Sequence, residues 1–451
     1  MPVETIKILS VKVQEHHLEI GYGVDDFQFS TQIFYHDVSF SSLKQRYSED
    51  IIHRIVAYIA LFEGMKFYSL YPKFFDISAI ASELSPQTPQ FFEKIYRGVF
   101  AQNLYENNRL DYSGAVLVYP HDLTPKQPTK IQGENPTILA GCGGGKDSFL
   151  AMKLLEESHL PFASMQYSHS VYGKADLQHQ LIQNVLKHVQ PVQTHKLSIY
   201  ETFVDYPFLD LYFPHLSGIT VPETPVSIFE SLILMLNFDY QSLSLAHEKS
   251  ANTGNLYSEK LGQEVNHQWG KGYDAEKIIN QFIQDNLLEN FNYFSILQPI
   301  YDYRIFKNIS RYPEVLPSLH SCNIQKPWCK KCPKCAYVWL GLMANFEPLL
   351  VDAVFEKNLF DDPDLLPIFR QMLGLTEHTP FECIGEIDES RLAMKKCLEK
   401  GLTGQAIDMF SQDVLSNSAI NWRELEEKYN QVYEAEHAIP DSIFKAIKNY
   451  L

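Results

Sequence analysis

The feature that most constrains this chain is a glycine loop that joins a short apolar strand to a helix. Thr137–Ala140 is apolar, the sequence GCGGGKDS follows it, and Ser148–Glu157 has a helical pattern. Glycines let a backbone approach an anion closely, and the start of a helix offers free N–H groups and the positive end of its dipole. The junction therefore predicts a phosphate-binding loop. Its candidate ligands for a nucleotide cofactor are Gly143, Gly144, Gly145, Lys146, Asp147 and Ser148.

Strands and helices alternate along the sequence that follows the loop. Phe162–Tyr167 has a strand pattern, residues 177–189 form an amphipathic helical pattern, and the helical segment Val226–Leu236 precedes an alternating strand at Ser242–Ala246. This alternation predicts an α/β fold, in which a parallel sheet carries helices on both faces.

The two ends of the chain have different patterns from the centre. Residues 6–35 are rich in β-branched and aromatic residues and predict strands, whereas residues 50–110 have helical spacing. An N-terminal α+β domain is therefore expected, and the pattern is helical from about residue 340 to the end. The predicted domains are residues 1–130, 131–320, 321–340 and 341–451.

Composition and charge narrow the class of protein. The chain has 451 residues and a formal net charge of −17, whereas nucleic-acid-binding proteins usually have a basic face. No apolar run approaches the roughly 18 residues of a membrane span, and the N-terminus lacks the basic region and apolar core of a signal peptide. We therefore expect a cytoplasmic protein with a small-molecule substrate and no nucleic-acid or membrane partner. The sequence carries no signal for an oligomeric state.

Four cysteines form a second motif. In a reducing compartment such clustering indicates a metal before a disulfide. Four thiolates suit a closed, tetrahedral zinc site, which leaves no open position for a substrate. We therefore predict a structural Zn²⁺, and the alternative is a loop with four reduced cysteines. The predicted ligands are Cys322, Cys329, Cys332 and Cys335.

Polar side chains follow the predicted strand at Ser242–Ala246. The segment directly after it reads HEKSANTGN, and a further polar set reads EVNHQ. In open α/β sheets, ligands gather outside the carboxyl ends of the strands. His247, Glu248 and His267 are therefore candidate acid–base residues, although each alone is more often a surface or core residue.

The glycine loop resembles the PP-loop of ATP pyrophosphatases, usually written SGGxDS, with Gly143 at the usual serine position. It has neither the Walker A nor the GxGxxG spacing. The resemblance implies an adenine nucleotide alpha hydrolase-like fold that cleaves ATP between the α and β phosphates. Lys146 and Asp147 would then take part in catalysis, and Asp147 could also hold Mg²⁺, which favours carboxylates and phosphate oxygens.

Motifs spread over most of the chain are similar to those of the UDP-N-acetyl-α-D-muramoyl-L-alanyl-L-glutamate epimerase (MurL) family. They are GMKFYSLYPKFF, IYRGVFAQNLYENN, GCGGGKDS, HEKSANTGN, EVNHQW, WCKKCPKCAYVWL and GLTEHTPFECIGE. The resemblance implies a bacterial isomerase of peptidoglycan biosynthesis. It would convert the terminal L-Glu of UDP-N-acetylmuramoyl-L-alanyl-L-glutamate to D-Glu through an acyl-adenylate, using ATP and Mg²⁺ and releasing AMP and pyrophosphate.

The residue that would remove the α-proton stays open at this point. Cys142, His247, Glu248, His267 and Cys383 are all candidates. Two opposed bases would serve the two faces of an enolate, and the pairing we predict is Cys142 with one of His247, Glu248 or His267. The alternative for Cys142 is a small buried residue beside the glycine loop.

Other classes of protein also remain open. A similar Cys₄ cluster follows the PP-loop domain in 7-cyano-7-deazaguanine synthases, so a zinc-containing ligase acting on a purine-like carboxylate is the main alternative. The charge of −17 disfavours a tRNA-modifying enzyme, and the intact Lys146-Asp147-Ser148 disfavours a non-enzymatic ATP-binding protein. Product analysis separates these classes, because an epimerase changes a stereocentre whereas the others form a nitrile or a thiolated base.

Overall fold

The computed structural model describes residues 3–120, 123–205, 207–214, 216, 218–416 and 419–451. Its strands are β1 Thr5–Val13, β2 His17–Val24, β3 Phe27–Tyr35, β4 Phe74–Asp76, β5 Val116–Val118, β6 Asn135–Cys142, β7 Phe162–His169, β8 Gln193–Glu201, β9 Tyr240–Leu245, β10 Leu256–Ser258, β11 Gln263–Val265 and β12 Asn292–Ser295.

Helices follow most of these strands. They are α1 Phe40–Arg46, α2 Glu49–Glu63, α3 Thr88–Glu106, α4 Lys146–Glu157, α5 Ala175–Leu186, α6 Thr202–Asp205, α7 Phe208–Tyr212, α8 Glu223–Phe238, α9 Tyr273–Asn286, α10 Asp302–Ile309, α11 Pro333–Asn345, α12 Pro348–Phe355, α13 Leu366–Met372, α14 Ile387–Glu399, α15 Gln405–Phe410, α16 Trp422–Asn430 and α17 Asp441–Ile447.

Across the described residues, ten strands form one mixed sheet in the order β12-β9-β6-β7-β8-β3-β2-β1-β4-β5. The neighbours from β12 to β8 are all parallel. The strand β3 then pairs antiparallel with β8, so that Tyr35 lies opposite Leu197, and β1 to β3 form an antiparallel meander. Strands from both sides of residue 130 thus share one sheet, and the division into domains stays a prediction.

Helices cover both faces of this sheet, as the alternation predicts. In β6, Leu139 packs into a core with the apolar side chains of α2 and α8. Its neighbours Ile138 and Ala140 point to the opposite face, where they pack into a second core with α4 and α11. Successive side chains of a strand point to opposite faces of the sheet. Because the side chains of β6 are buried on both faces, the sheet must be covered on both sides, and helices provide this cover.

The C-terminal part of the chain is helical, which confirms the pattern seen in the sequence. The helices α11 to α17 pack around the second core, in which the Trp339 side chain is fully buried. Within the part of the chain that the structure describes, no helix combines the length and the apolar character needed to cross a bilayer.

Candidate active site

The glycine loop lies at the carboxyl end of β6, at the sheet edge where the neighbouring parallel strands also end. Gly145 directly precedes α4, and no described side chain caps the first turn of this helix. Gly144 has a φ of +82°, a left-handed conformation that favours glycine. The backbone N–H of His320 donates to the Gly144 carbonyl at 3.1 Å. The loop is therefore fixed from one side, while the first N–H groups of α4 remain available to an anion.

Alanine substitutions should distinguish two adjacent glycines of this loop. A Cβ at Gly144 would lie 1.9 Å from Cε1 of the buried His320, whereas a Cβ at Gly143 meets nothing within 4 Å. We expect Gly144→Ala to lower the free energy of unfolding by at least about 2 kcal/mol, because positive φ alone costs about 1–2 kcal/mol. Gly143→Ala should change it by less than about 0.5 kcal/mol. Denaturant unfolding checks this, and equal losses in both variants would contradict the described loop.

Lys146 is the centre of a charged group at the start of α4. Its side chain is 1% exposed, and its ammonium bonds to the carboxylates of both Asp147 and Asp302. The ring of Phe306 lies 4.9 Å from the same nitrogen. Burial alone would lower the pKa of Lys146, but Asp147, Asp302 and Glu248 raise this pKa by more. Lys146 therefore stays protonated and presents a fixed positive charge beside the glycine loop.

Further carboxylates extend this group. Burial, followed by the charges of Asp302 and Asp147, raises the pKa of Glu248 to about 7. Burial and the charge of Asp302 raise the pKa of Glu389 to about 8. The hydroxyl of Ser250 links Glu389 to Asp302, because it donates to Glu389 Oε1 at 2.6 Å and accepts from the Asp302 N–H at 3.2 Å. Asp147 and Asp302 thus both place a carboxylate on the Lys146 ammonium beside the glycine loop, and carboxylate oxygens are ligands that Mg²⁺ favours.

A second charged group surrounds the thiol of Cys383. Lys271 Nζ donates to Cys383 Sγ at 2.9 Å, and Lys334 donates to the Cys383 carbonyl. The ligand atoms of His267, Glu382 and Cys383 all lie within 4.8 Å of one another. Burial would raise the pKa of the Cys383 thiol, but the neighbouring cations outweigh burial and lower this pKa to about 6. The surroundings of Cys383 therefore favour the thiolate.

The predicted base residues fall into different surroundings. Cys142 is buried under the glycine loop, 4.0 Å from Ser148 Oγ, and burial raises its pKa to about 11. His247 Nδ1 lies 3.2 Å from Ser295 Oγ, and burial keeps its pKa well below the usual range. Glu248 thus interacts with the charges of Lys146 and Asp147, His267 lies beside Cys383, and burial favours the neutral thiol of Cys142.

The four predicted metal-ligating cysteines lie together. Cys322 Sγ is 3.9 Å from Cys332 Sγ, Cys329 Sγ is 3.7 Å from Cys335 Sγ, and all four sulfur atoms lie within 4.8 Å of one another. Four sulfurs each about 2.3 Å from a central zinc would be about 3.8 Å apart in a tetrahedron. The donor set and its spacing therefore fit one Zn²⁺ with four thiolate ligands.

Residues of this cysteine knuckle, residues 321–340, contact both charged groups. Ser321 Oγ lies 3.0 Å from the position of a Cβ at Gly145, so it borders the glycine loop. Asn323 donates to Glu382 Oε1 at 3.3 Å, and Lys334 bonds to the Cys383 carbonyl. The knuckle therefore supports the glycine loop and the loop of Cys383 at the same time.

Sequence reasoning missed three charged residues of the site. Asp302 follows β12, a strand of four residues that was not predicted, so its position at the carboxyl edge was hidden. Lys271 lies just after the EVNHQW motif, and this short distance is a signal that could have found it. Glu389 lies in α14, in the helical C-terminal part, where nothing in the local pattern marks it.

Comparison with known proteins adds independent information. The MurL N-terminal domain matches residues 3–193 and 215–296, and the MurL C-terminal domain matches residues 318–425. No solved structure matches the chain significantly.

Three curated relatives are each named UDP-N-acetyl-alpha-D-muramoyl-L-alanyl-L-glutamate epimerase. The protein from Micromonospora sp. is 29% identical over 62% of this chain and 63% of its own length. The protein from Salinispora tropica is 28% identical over 60% and 58%, and that from Xanthomonas oryzae pv. oryzae is 27% identical over 50% and 52%. The chain thus spans less than two thirds of the length of each relative. Since the two domain matches together cover most of its residues, this chain belongs to the MurL family.

Proposed function

We propose that this protein is an ATP-dependent epimerase that converts the terminal L-Glu of UDP-N-acetylmuramoyl-L-alanyl-L-glutamate to D-Glu in peptidoglycan biosynthesis. The observation that carries the proposal is the buried contact of Lys146 with Asp147 and Asp302 at an open glycine loop, in a chain of the MurL family. The names of the three curated relatives support the same substrate.

The chemistry of the substrate explains why an epimerase would need ATP. The Cα–H beside a free carboxylate is very weakly acidic, because its removal would build a dianion. Transfer of AMP to the carboxylate removes that negative charge, and the α-proton can then leave to give an enolate. Water releases AMP from the acyl-adenylate after the proton has returned on the other face.

The residues of the glycine loop have the properties that this activation requires. The backbone of Gly143 to Gly145 and the first turn of α4 would bind the phosphates of ATP, and Lys146 would hold their negative charge in place. Bound Mg²⁺ would neutralise charge on the leaving pyrophosphate, with Asp147 and Asp302 as its protein ligands. The zinc of the cysteine knuckle would be structural, since four thiolates leave no position for a substrate.

Incubation in D₂O with the L-Glu dipeptide substrate and ATP tests this function. We expect D-Glu product that carries deuterium at Cα, with AMP and pyrophosphate formed in step with it. ATP that carries a methylene group between the α and β phosphates is the matched control, and it should give neither product.

Each contrary outcome removes a different part of the proposal. Formation of ADP instead of AMP would contradict the adenylation step. Formation of AMP without any D-Glu would support adenylation but contradict the epimerase function. In a separate incubation with a purine-like carboxylate in place of the dipeptide, formation of a nitrile would indicate the ligase class.

A further inference from the structure

The loop before α14 presents a thiol to a set of cations. Cys383 is only partly buried, and Lys271 Nζ donates to its sulfur at 2.9 Å. Lys271 comes from the short turn after the EVNHQW motif, whereas Cys383 lies in the GLTEHTPFECIGE motif, so two distant motifs meet at this contact. An ammonium in direct contact with a sulfur stabilises the thiolate, which is the nucleophilic and basic form of cysteine.

Charge around this thiol comes from several elements. The ionisable groups that face it are Lys271, His267, Lys334, Glu382 and Tyr172. The three cations lower the thiol pKa to about 6, although burial opposes them. Glu382 instead interacts with His267, whose Nε2 lies 3.8 Å from Glu382 Oε1. The positive charges around Cys383 thus outweigh burial and favour the thiolate.

Other free cysteines of the chain are in different surroundings. Cys142 and Cys397 are both buried, and burial raises their pKa to about 11 and about 12. Their hydrogen-bond partners in the described structure are Ser148 Oγ and the Leu340 carbonyl, and the charges of Lys400 and Lys396 do not outweigh burial at Cys397. Cys383 is thus the free cysteine that combines accessibility with a bound cation.

Lys271 also connects this thiolate to the glycine-loop site. The charges that raise the pKa of Lys271 against burial are those of Cys383, Glu248 and Glu223. Glu248 in turn interacts with Asp147 and Asp302. The thiolate and the carboxylates at the glycine loop therefore interact through Lys271, and the cysteine knuckle contacts both loops through Ser321, Asn323 and Lys334.

We propose that the Cys383 thiolate is one of the two groups that transfer the α-proton, with Lys271 as the positioning residue that keeps it ionised. The inference rests on the proposed epimerase function. The Cα–H bond breaks, an S–H bond forms, and the electron pair enters the activated carbonyl group as an enolate. The second group, in its protonated form, then delivers a proton to the opposite face, and both groups exchange protons with solvent before the next turnover.

Deuterium exchange measured from each epimer separately tests this assignment. Cys383→Ala and Cys383→Ser are incubated in D₂O with ATP and either the L-Glu or the D-Glu dipeptide. We expect substrate-dependent pyrophosphate release to persist within about threefold, while epimerisation falls by at least about 100-fold. Deuterium entry at Cα should be lost from at least one epimer. Cys397→Ala, which removes a buried thiol of the C-terminal core, is the matched control and should keep full turnover.

Exchange from both epimers at normal rates in the Cys383 variants would overturn the assignment while the epimerase function stands. Loss of pyrophosphate release together with epimerisation would also overturn it, because the thiol would then serve activation or folding. If the unmodified protein forms AMP but does not epimerise the substrate, the proposed function is wrong. The thiolate measurement described next does not depend on that function.

Alkylation of the unmodified protein supplies a readout that needs no substrate. Iodoacetamide should label Cys383, identified by peptide mass spectrometry, with a rate that rises from pH 5 and levels off above about pH 7, since the thiolate dominates above a pKa of about 6. In Lys271→Met the midpoint should move up by at least one pH unit. Labelling of Cys383 that is no faster at pH 7 than that of Cys397, or a midpoint that does not move in Lys271→Met, would overturn the assignment.

Discussion

Cys335→Ala is expected to release the zinc and to unfold the cysteine knuckle, with loss of essentially all turnover. Apparent binding energies of structural zinc are about 10–16 kcal/mol in zinc-finger peptides, which matches or exceeds the stability of a whole domain, about 5–15 kcal/mol. Without the knuckle, Lys334 would no longer hold the Cys383 carbonyl and Ser321 would no longer border the glycine loop.

Metal analysis of protein purified without chelators measures the zinc directly, and one zinc per chain is expected. The tryptophan fluorescence, to which Trp328 beside Phe355 contributes as one of four tryptophans, reports unfolding in the variant. Cys397→Ala should keep its zinc, because this thiol is not part of the four-sulfur cluster. Unmodified protein with only traces of every metal would contradict the site.

Lys146→Met should have the second large effect, on both stability and turnover. Removal of the ammonium leaves Asp302 buried without its cation, and breaking a buried ion pair in this way costs about 3–5 kcal/mol. Turnover should fall about 100- to 1,000-fold, the usual cost of losing one electrostatic contact to a charged transition state. Denaturant unfolding and pyrophosphate release measure the two effects.

Two further variants separate these effects. Lys153→Met, on the same helix, removes a lysine that pairs with Glu156 nearer the surface and should leave both quantities nearly unchanged. Lys146→Met/Asp302→Asn should regain most of the stability, since the fully buried charge of Asp302 is then gone as well, but it should not regain turnover. Recovery of turnover in the double variant would mean that Lys146 serves only the fold.

The local sequence pattern predicted the central part of the fold but missed several strands, among them β8 and β12. The strand β6, the glycine loop and α4 lie where the sequence places them, because an apolar run, three glycines and a helical pattern all agree. The strand β8 was missed because its buried positions are partly polar. His195 and Ser198 are buried there, and His195 Nε2 lies 2.9 Å from the Tyr240 hydroxyl. A satisfied polar core residue breaks the apolar alternation on which strand prediction depends.

For the site, too, the sequence predicted the residues that lie in contiguous motifs but not those that tertiary packing brings in. The glycine loop and the four cysteines are contiguous motifs, so their local grouping follows directly from the sequence. Asp302 and Lys271 enter the site only through tertiary packing, from elements more than a hundred residues after the loop. Cys383 was one of several candidate bases, and its ionisation depends on cations contributed by two other segments. No local pattern carries that information.

The antiparallel pairing of β3 with β8 has a consequence for the synthesis of the chain on the ribosome. The three N-terminal strands can form hairpins at once, but the outer edge of β3 has no partner until β8 emerges. About 160 residues separate the end of β3 from the start of β8. Their synthesis at about 5–20 residues per second takes on the order of 8–30 s. An unpaired strand edge is a template for pairing with other chains. The nascent protein therefore passes through an interval in which a chaperone that shields this edge would protect it from aggregation.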